Sequence, residues 1–231
     1  MGKLGKKYKA ASEKVEPTKL YSLKDAMELV QKTSYAKFVG AVDLAINLGV
    51  DPRQADQNVR GATALPHGLG KTVRIIVFAK GQKAIEAKEL GADFVGGDEL
   101  AEKINGGWLE FDQVIATPDM MAVVGKLGKV LGPRGLMPNP KMGTVTFEIK
   151  NAIQELKAGR AEFRVEKAGI VHTVVGRVNM ELTHLVANTE AVIEAVLKAK
   201  PASAKGTYLK KITISATMGP GIKIDPTLYR V

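Results

Sequence analysis

Strict alternation of apolar and polar residues occurs in two long segments, one near each end of the chain. After Phe38 the even positions are apolar, while the odd positions include Asp43 and Asn47; the apolar set is Val42, Leu44, Ile46 and Leu48. A two-residue period places alternate side chains on opposite faces of a β-strand. The segment therefore predicts a strand with one buried and one solvent-exposed face, ending near Gly49.

The second alternating segment runs from Tyr208 into a turn at residues 219–221. The apolar face is predicted to hold Ile212, Ile214, Ala216 and Met218, and the polar face Lys211, Thr213, Ser215 and Thr217. Glycine and proline favour a turn at this point, and the bare backbone of glycine permits close approach of another molecule. The turn is either purely structural or the rim of a site for a polyanion.

Other elements near the two ends are also predicted from local patterns. Ser22 and Asp25 have the spacing of a helix N-terminus, and apolar residues at helical spacing predict a helix over about 23–32. Residues 161–166 and 170–178 are predicted strands joined by a turn that ends at Gly169, a pattern typical of a β-hairpin. A long amphipathic helix follows, and Pro201 lies beyond its end.

Short apolar runs alternate with helical segments in the middle of the chain. The runs are residues 73–79, 93–95 and 111–116, and the predicted helices are 82–90, 98–105, 118–127 and 148–157. Asp98 and Thr117 are the predicted N-caps of the second and third of these helices. Such alternation predicts a small, mostly parallel sheet with helices on both faces.

The two ends of the chain resemble each other more than either resembles the middle. We therefore expect a discontinuous terminal domain, residues 1–68 plus 158–231, and an inserted domain, residues 69–157. The predicted fold class is an α+β split terminal domain, with an antiparallel sheet and helices, that carries an inserted Rossmann-like α/β domain.

Positive charge is concentrated in the terminal segments. The 231-residue chain has a formal net charge of +10. Residues 1–69 and 158–231 hold 22 Lys/Arg against 13 Asp/Glu, whereas residues 70–157 hold 12 against 11. A cationic surface attracts nucleic acid or an anionic membrane. No apolar run reaches the roughly 18 residues of a membrane span, and no signal-peptide core follows the Lys-rich start, so we expect a cytoplasmic protein that binds nucleic acid.

The sequence offers little for catalysis or metal binding. There is no cysteine, and His67, His172 and His184 have no acidic or nucleophilic partner at a local spacing. The segment 68–72 contains Gly-Lys-Thr but lacks the earlier glycine and the strand-to-helix context of a phosphate loop. No Gly-x-Gly-x-x-Gly follows the first strand of the middle segment. We therefore expect no enzyme activity, cofactor, metal or small-molecule substrate.

Two features have alternative interpretations. Residues 126–143 are rich in glycine and proline, which disfavour regular structure; this loop is either a wide structural connection or a phosphate contact through Lys129, Arg134 and Lys141. Phe38, next to Lys37, is either a core aromatic or an exposed platform on which a base or ribose stacks.

Three motifs, in the same order, resemble the bacterial large-subunit ribosomal protein L-one family, which forms the mobile stalk near the tRNA exit site. They are residues 56–62 (DQNVRGA) with 65–68 (LPHG), the loop at 125–139, and the turn at 217–220 (TMGP). The resemblance covers nearly the whole chain and implies a structural protein whose partner is large-subunit ribosomal RNA. It also implies contact with exit-site tRNA, assistance in the release of deacylated tRNA, and repression of the protein's own operon mRNA.

In the family the terminal domain makes the RNA contacts. The resemblance therefore implies RNA-binding roles for Lys37, Phe38, Arg164, Glu166, Lys167, Gly169, His172, Ser215, Thr217, Met218, Gly219 and Pro220. We expect Arg164 and Lys167 to neutralise phosphate, and the hydroxyls of Ser215 and Thr217 to read the RNA surface with the backbone of the turn. Two rival hypotheses are a nucleotide-binding enzyme that uses the inserted α/β domain and a general cationic nucleic-acid binder.

Overall fold

The computed structural model describes residues 5–229, without the side chain of Lys141. Within this range the chain forms two compact units: a terminal unit, which ends at Gly70 and resumes at Arg160, and an inserted unit, Lys71–Gly159. The crossings predicted at 68/69 and 157/158 lie two residues from these boundaries. Residues 1–4 and 230–231 of the predicted terminal domain lie outside the described residues.

The described residues form helices and strands throughout both units. In chain order they are α1 (Lys6–Ser12), α2 (Leu23–Thr33), β1 (Ala41–Leu48), β2 (Arg60–Ala64), β3 (Ile75–Phe78), α3 (Gln82–Glu89), β4 (Phe94–Gly96), α4 (Asp98–Asn105), β5 (Gln113–Ala116), α5 (Met121–Lys126), α6 (Gly128–Leu131), α7 (Ile149–Ala158), β6 (Arg160–Arg164), β7 (Ile170–Arg177), α8 (Leu182–Lys198), β8 (Leu209–Ala216) and β9 (Ile222–Ile224). The protein is therefore a mixed α/β protein.

The terminal unit is built on an antiparallel sheet with the strand order β7-β1-β8-β9. The apolar face of β1 is buried as its alternation predicts, in a core to which α2 and α8 also contribute. Each fully buried Leu, Ile or Val side chain contributes about 1.5–3 kcal/mol. Helix α2 begins as predicted, because the Oγ of Ser22 accepts a 3.2 Å hydrogen bond from the Asp25 amide. The residues on the opposite face of β1 are partly exposed.

The predicted hairpin at 161–178 is wrong beyond its turn. Val165 and Val171 form a single antiparallel bridge, after which β6 pairs with β2 and β7 pairs with β1. The ring of Phe163 on β6 covers Gly61 on β2, where a Cβ would lie 2.7 Å from the ring. Local patterns predict both strands and their turn, but packing of this kind selects the strand partners.

The inserted unit contains a parallel sheet with the strand order β4-β3-β5. Ile76 and Phe78 of the central strand pack on one side with residues of α4 and α5, while Ile75 and Val77 pack on the other side with residues of α3 and α7. All four side chains are fully buried. Continuous burial is typical of a parallel strand that is covered on both faces.

Two helix starts in the inserted unit differ from prediction. Asp98 is the first residue of α4, and its N-cap is Gly97. Thr117 is an N-cap as predicted, but the segment that it caps begins as a 3₁₀ turn, Pro118–Met120, before α5. An acidic residue in the first turn is favourable at either position, because it faces the positive end of the helix dipole.

The Gly/Pro-rich segment is more regular than its composition predicted. The helix predicted over 118–127 occurs as α5, which ends at Lys126; after a break at Leu127 the chain forms a second helix, α6, where irregular structure was expected. Val124, Leu127 and Leu131 are fully buried at helical spacing. Burial of this apolar stripe outweighs the low helix propensity of the intervening glycines. Irregular structure begins only after α6, and the side chain of Lys141 lies outside the described residues.

Candidate nucleic-acid interface

The outer face of the four-stranded sheet carries polar residues from neighbouring strands. In β1, Asp43 pairs with Ser215 of β8, and Ala45 pairs with His172 of β7. Since Asp43 and Ala45 lie two positions apart, they face the same side, and so do their partners. The fold thus brings His172 and Ser215, which are 43 residues apart in the sequence, to one surface on either side of β1.

A tight turn follows the end of β8 at Ala216. The Gly219 amide donates a 2.8 Å hydrogen bond to the Ala216 carbonyl and closes this β-turn. Among the described residues, Met218 is the only non-glycine with a positive φ, +66°, a conformation that costs roughly 1–2 kcal/mol for a residue with a Cβ. Its side chain is 64% exposed. The predicted position of Met218 on the apolar face is therefore wrong, because the two-residue period stops with the strand.

Thr217 anchors the turn to the start of β1. Its Oγ1 accepts a 2.9 Å hydrogen bond from the Ala41 amide, and its own amide donates a 3.0 Å hydrogen bond to the Ala41 carbonyl. A Cβ at Gly40 would lie only 3.2 Å from the Cβ of Thr217. Next to the turn, Pro220 is buried and Gly219 is partly exposed. The Thr217 side chain therefore has a structural role that the sequence did not predict, while Met218 is the accessible side chain of the turn.

Tyr35 is a second contact of the turn that sequence reasoning missed. Its hydroxyl donates a 2.6 Å hydrogen bond to the carbonyl oxygen of Met218, across a separation of 183 residues. Tyr35 lies just beyond the C-terminus of α2 and belongs to none of the motifs found in the sequence. No local signal predicts this contact, since only the fold brings the two segments together.

Lys37 and Phe38 are exposed beside the turn. The ring of Phe38 is 58% exposed, so it is not the core aromatic that was one of its two predicted alternatives. It lies three residues before Ala41, which is hydrogen-bonded to Thr217. This segment and the turn therefore present two large apolar side chains, Phe38 and Met218, on neighbouring parts of the surface.

The turn between β6 and β7 holds a second group of the predicted residues. The Nε2 of His172 lies 2.6 Å from the Oε1 of Glu166. Gly169 has φ +76°, and its amide donates a 2.9 Å hydrogen bond to the Glu166 carbonyl; it is buried, so it shapes the turn. Lys167 is exposed at the tip. The structure thus joins Glu166 and His172 directly and leaves Lys167 available to an anion.

Arg164 lies at the exposed end of β6, directly opposite Arg60 of β2. Both side chains are exposed. Like charges at opposed positions of a sheet repel each other, and an anion placed between them removes that repulsion. Arg60 was not among the predicted contacts, although it belongs to the 56–62 motif. Its pairing with Arg164 depends on the register of two strands that are distant in the sequence.

Asp43 places a carboxylate on the same face as His172 and Ser215. Burial raises the pKa of Asp43 above its ordinary value, while the nearby charges of His172 and Arg177 act in the opposite direction. An ionised carboxylate at this position repels phosphate. A nucleic acid at this part of the surface would therefore have to be recognised through hydrogen bonds and shape more than through positive charge.

Other kinds of site are not evident in the part of the chain that the structure describes. Between residues 5 and 229, no group of three His, Asp or Glu side chains is arranged to hold a metal ion. No helix in the same range is long and apolar enough to cross a bilayer. The rings of His67 and His184 stack with their centroids 3.8 Å apart.

Comparison with known protein families identifies a match that covers most of the chain. A family model described as the ribosomal protein L1p/L10e family matches residues 30–220. The matched range includes most of the terminal unit, the whole inserted unit and every residue of the surface described above.

Proposed function

Because the chain belongs to the ribosomal protein L1p/L10e family, we propose that its terminal unit binds large-subunit ribosomal RNA through two adjoining groups of residues. The first, the turn face, consists of Phe38, His172, Ser215 and Met218. The second, the arginine pair, consists of Arg60 and Arg164. Membership of the family makes the chain an RNA-binding protein of the large ribosomal subunit; the residues and roles given below are the proposal.

The observation that carries this proposal is the exposed side chain of Met218. The residue has a costly backbone conformation, and it is 64% exposed, so burial of its side chain does little to offset the cost. Phe38 is similarly exposed nearby. Folded RNA presents sugars and splayed bases against which such side chains pack or stack. Strain that is retained at an exposed turn is expected where a partner uses the conformation.

Each part of the surface has a distinct role in this proposal. The cations neutralise phosphate; they are Lys37, Arg60, Arg164 and Lys167. Phe38 and Met218 pack against bases and sugars, while the Ser215 hydroxyl and the His172–Glu166 pair provide hydrogen bonds to ribose and base edges. The remaining predicted residues, Gly169, Thr217, Gly219 and Pro220, hold the two turns in shape.

Replacement of Met218 by alanine tests the proposal most directly. We expect the affinity for an rRNA fragment of the large-subunit stalk to fall about tenfold or more, since stacking and packing contacts of this kind contribute about 1–3 kcal/mol. A filter-binding titration against bulk tRNA and duplex DNA as competitors separates shape recognition from general attraction to polyanions. Phe147→Ala is the matched control, because Phe147 is an exposed apolar residue of the inserted unit. An unchanged affinity in Met218→Ala would exclude the turn from the site.

We further propose that the bound RNA is the mobile stalk near the exit site, where the protein assists the release of deacylated tRNA. This proposal is supported by family membership together with the exposed cations of the terminal unit. Labelled deacylated tRNA should leave more slowly from ribosomes reconstituted with Arg60→Gln than from ribosomes reconstituted with the unaltered protein. Equal rates would argue against a role in tRNA release.

Repression of the protein's own operon mRNA is the remaining part of the proposal. It requires a leader RNA that presents the same surface features as the stalk, so both RNAs compete for the turn face. In a cell-free translation assay, the protein should repress a reporter that carries its leader, and the stalk rRNA fragment should relieve repression. Met218→Ala should weaken both rRNA binding and repression. Repression that persists in Met218→Ala would contradict a surface shared by the two RNAs.

A further inference from the structure

The turn after β8 does not by itself explain the conformation of Met218. Residues that carry a Cβ avoid positive φ, and the exposed Met218 side chain gains no burial in return. The hydrogen bond from Gly219 to Ala216 closes the turn, but such a bond is compatible with turn types that have negative φ at the third position. Contacts from outside the turn are therefore needed to select the observed form.

Two contacts from outside the turn can select the observed form. Thr217 is tied to Ala41 by both its side chain and its main chain, which sets where the turn begins. Beyond it, the Tyr35 hydroxyl donates its 2.6 Å hydrogen bond to the Met218 carbonyl. That carbonyl belongs to the peptide that follows Met218, so the bond restricts rotation about the ψ of Met218 itself.

Tyr35 is held on a rigid support. It follows α2 by two residues, and Met27 and Val30 of α2 are fully buried in the core of the terminal unit. Thr33, the last residue of α2, is also buried, and its hydroxyl donates a 2.7 Å hydrogen bond to the Leu29 carbonyl. A donor attached to a packed helix restrains its acceptor more than a donor on a free loop would.

We propose that Tyr35 is a positioning residue for RNA binding, and that its hydroxyl holds the Met218 turn in the form that directs the Met218 side chain outward. The inference rests on the proposed function, because it assumes that RNA contacts Met218. In this arrangement the protein holds Met218 in its binding conformation before RNA arrives. Less ordering is then required when the complex forms, and the affinity is higher.

Tyr35→Phe tests the inference, because it keeps the ring and removes only the hydroxyl. We expect the affinity for the stalk rRNA fragment to fall about three- to tenfold, the range of one hydrogen bond. The Met218 methyl resonance of the free protein should also shift, while the circular dichroism spectrum and the unfolding transition keep their shape. An unchanged Met218 resonance together with unchanged affinity would overturn the inference.

A double-mutant cycle separates positioning from direct contact. In a Met218→Ala background, Tyr35→Phe should cause no further loss of affinity, because the side chain that it positions is absent. An equal loss in both backgrounds would mean that Tyr35 contacts RNA independently of Met218, which overturns the inference. If Met218→Ala alone has no effect, the proposed function of the turn fails, and the cycle identifies that failure separately.

Tyr208→Phe is the matched control. The Tyr208 hydroxyl also donates to a main-chain carbonyl, that of Val196, at 3.0 Å. It precedes β8, roughly 25 Å along the strand from the turn, at about 3.3 Å per residue. We expect this variant to keep full affinity for rRNA. A loss of rRNA affinity similar to that of Tyr35→Phe would show that the effect comes from general weakening of the fold, and it would overturn the inference.

Discussion

Arg60 and Arg164 lie directly opposite each other in the ladder between β2 and β6, so two exposed cations occupy one cross-strand site. Taken alone, such a pair is unfavourable by a few tenths of a kcal/mol, up to about 1 kcal/mol, and the nearby Glu162 carboxylate offsets part of this repulsion at Arg60. A phosphate group between the two guanidinium groups would reverse the sign of this interaction. The pair is therefore the part of the proposed surface at which a phosphate contact is tested most directly.

Replacement of Arg164 by glutamine is expected to weaken binding of the stalk rRNA without weakening the fold. Removal of one charge relieves the repulsion from Arg60, so the free energy of unfolding should stay equal or rise by up to about 1 kcal/mol. The dependence of log affinity on log salt should become shallower by about one unit of slope, because one fewer counterion is released. Filter binding at several salt concentrations measures the slope. Lys103→Gln, in the inserted unit, is the charge-matched control, and an identical slope for Arg164→Gln and the unaltered protein would contradict the phosphate contact.

Replacement of Thr217 by valine should reduce both stability and RNA affinity. Valine keeps the shape but cannot accept the hydrogen bond from the Ala41 amide, which leaves a partly buried donor without this partner. We expect a loss of about 1–3 kcal/mol in the free energy of unfolding, measured by urea denaturation. Thr217→Ser retains the acceptor and should recover most of that loss. If valine and serine variants were equally stable, the anchoring role would be wrong.

Replacement of Gly125 by alanine is expected to stabilise the protein. Gly125 lies in α5, and a Cβ added there would meet no atom within 4 Å. The gain in helix propensity should raise the free energy of unfolding of the inserted unit by about 0.5–1 kcal/mol. Thermal and urea denaturation measure the change. A decrease in the free energy of unfolding would show that a side chain at position 125 is unfavourable for a reason other than its contacts in α5.

The same substitution at Gly49 should have the opposite effect. A Cβ at Gly49 would overlap the Thr207 carbonyl oxygen, and the Gly49 amide donates a 2.7 Å hydrogen bond to the Tyr208 carbonyl. Since main-chain atoms on both sides must move, we expect Gly49→Ala to destabilise the terminal unit by about 1–3 kcal/mol. Urea denaturation measures this change. If Gly49→Ala were as stable as the unaltered protein, the close approach of Gly49 to the Thr207 carbonyl would be contradicted.

Tyr208 should make stability depend on pH in the alkaline range. Burial raises the pKa of Tyr208 to about 12 from the ordinary value of 10.0. Between these two values the unfolded chain loses the phenolic proton while the folded protein keeps it. The contribution to stability is thus complete below about pH 10 and decreases by up to about 1.4 kcal/mol per pH unit until about pH 12.

Comparison with Tyr208→Phe isolates this contribution. Urea denaturation of both proteins at several pH values between about 9 and about 12 gives the difference in the free energy of unfolding. The advantage of the unaltered protein over Tyr208→Phe should shrink as the pH rises through this window. A difference that stays constant would mean that Tyr208 ionises equally easily in the folded and unfolded states.

Elements with a strong local period were predictable. The strand from Ala41 to Leu48 and the helix that begins after Ser22 occur where alternation and helix capping indicated them. The segment at 128–131 was predicted less well, because its glycines signal irregular structure while Leu131, which continues the buried stripe of Val124 and Leu127, favours a helix. Where propensity and burial disagree, the free energy of burial decides, and burial is not visible from composition alone.

The candidate site was predictable only as a set of motifs. The turn at 217–220 and the cations near Arg164 could be found in the sequence, because each motif is continuous. The orientation of Met218 was not predictable, since the alternation of β8 pointed the side chain inward. Tyr35 and Arg60 were missed altogether, because each acquires its meaning from a partner more than 100 residues away.

The amino-acid sequence by itself determined the periodic elements, the uneven distribution of positive charge and the motifs that mark the family. Tertiary structure alone decided that β6 pairs with β2, that Tyr35 holds Met218, and that Arg60 meets Arg164. The physical reason is the distance along the chain over which each interaction acts. Capping, alternation and turn chemistry act over a few neighbouring residues, whereas these strand pairings and side-chain contacts form when distant segments bury the core of the terminal unit.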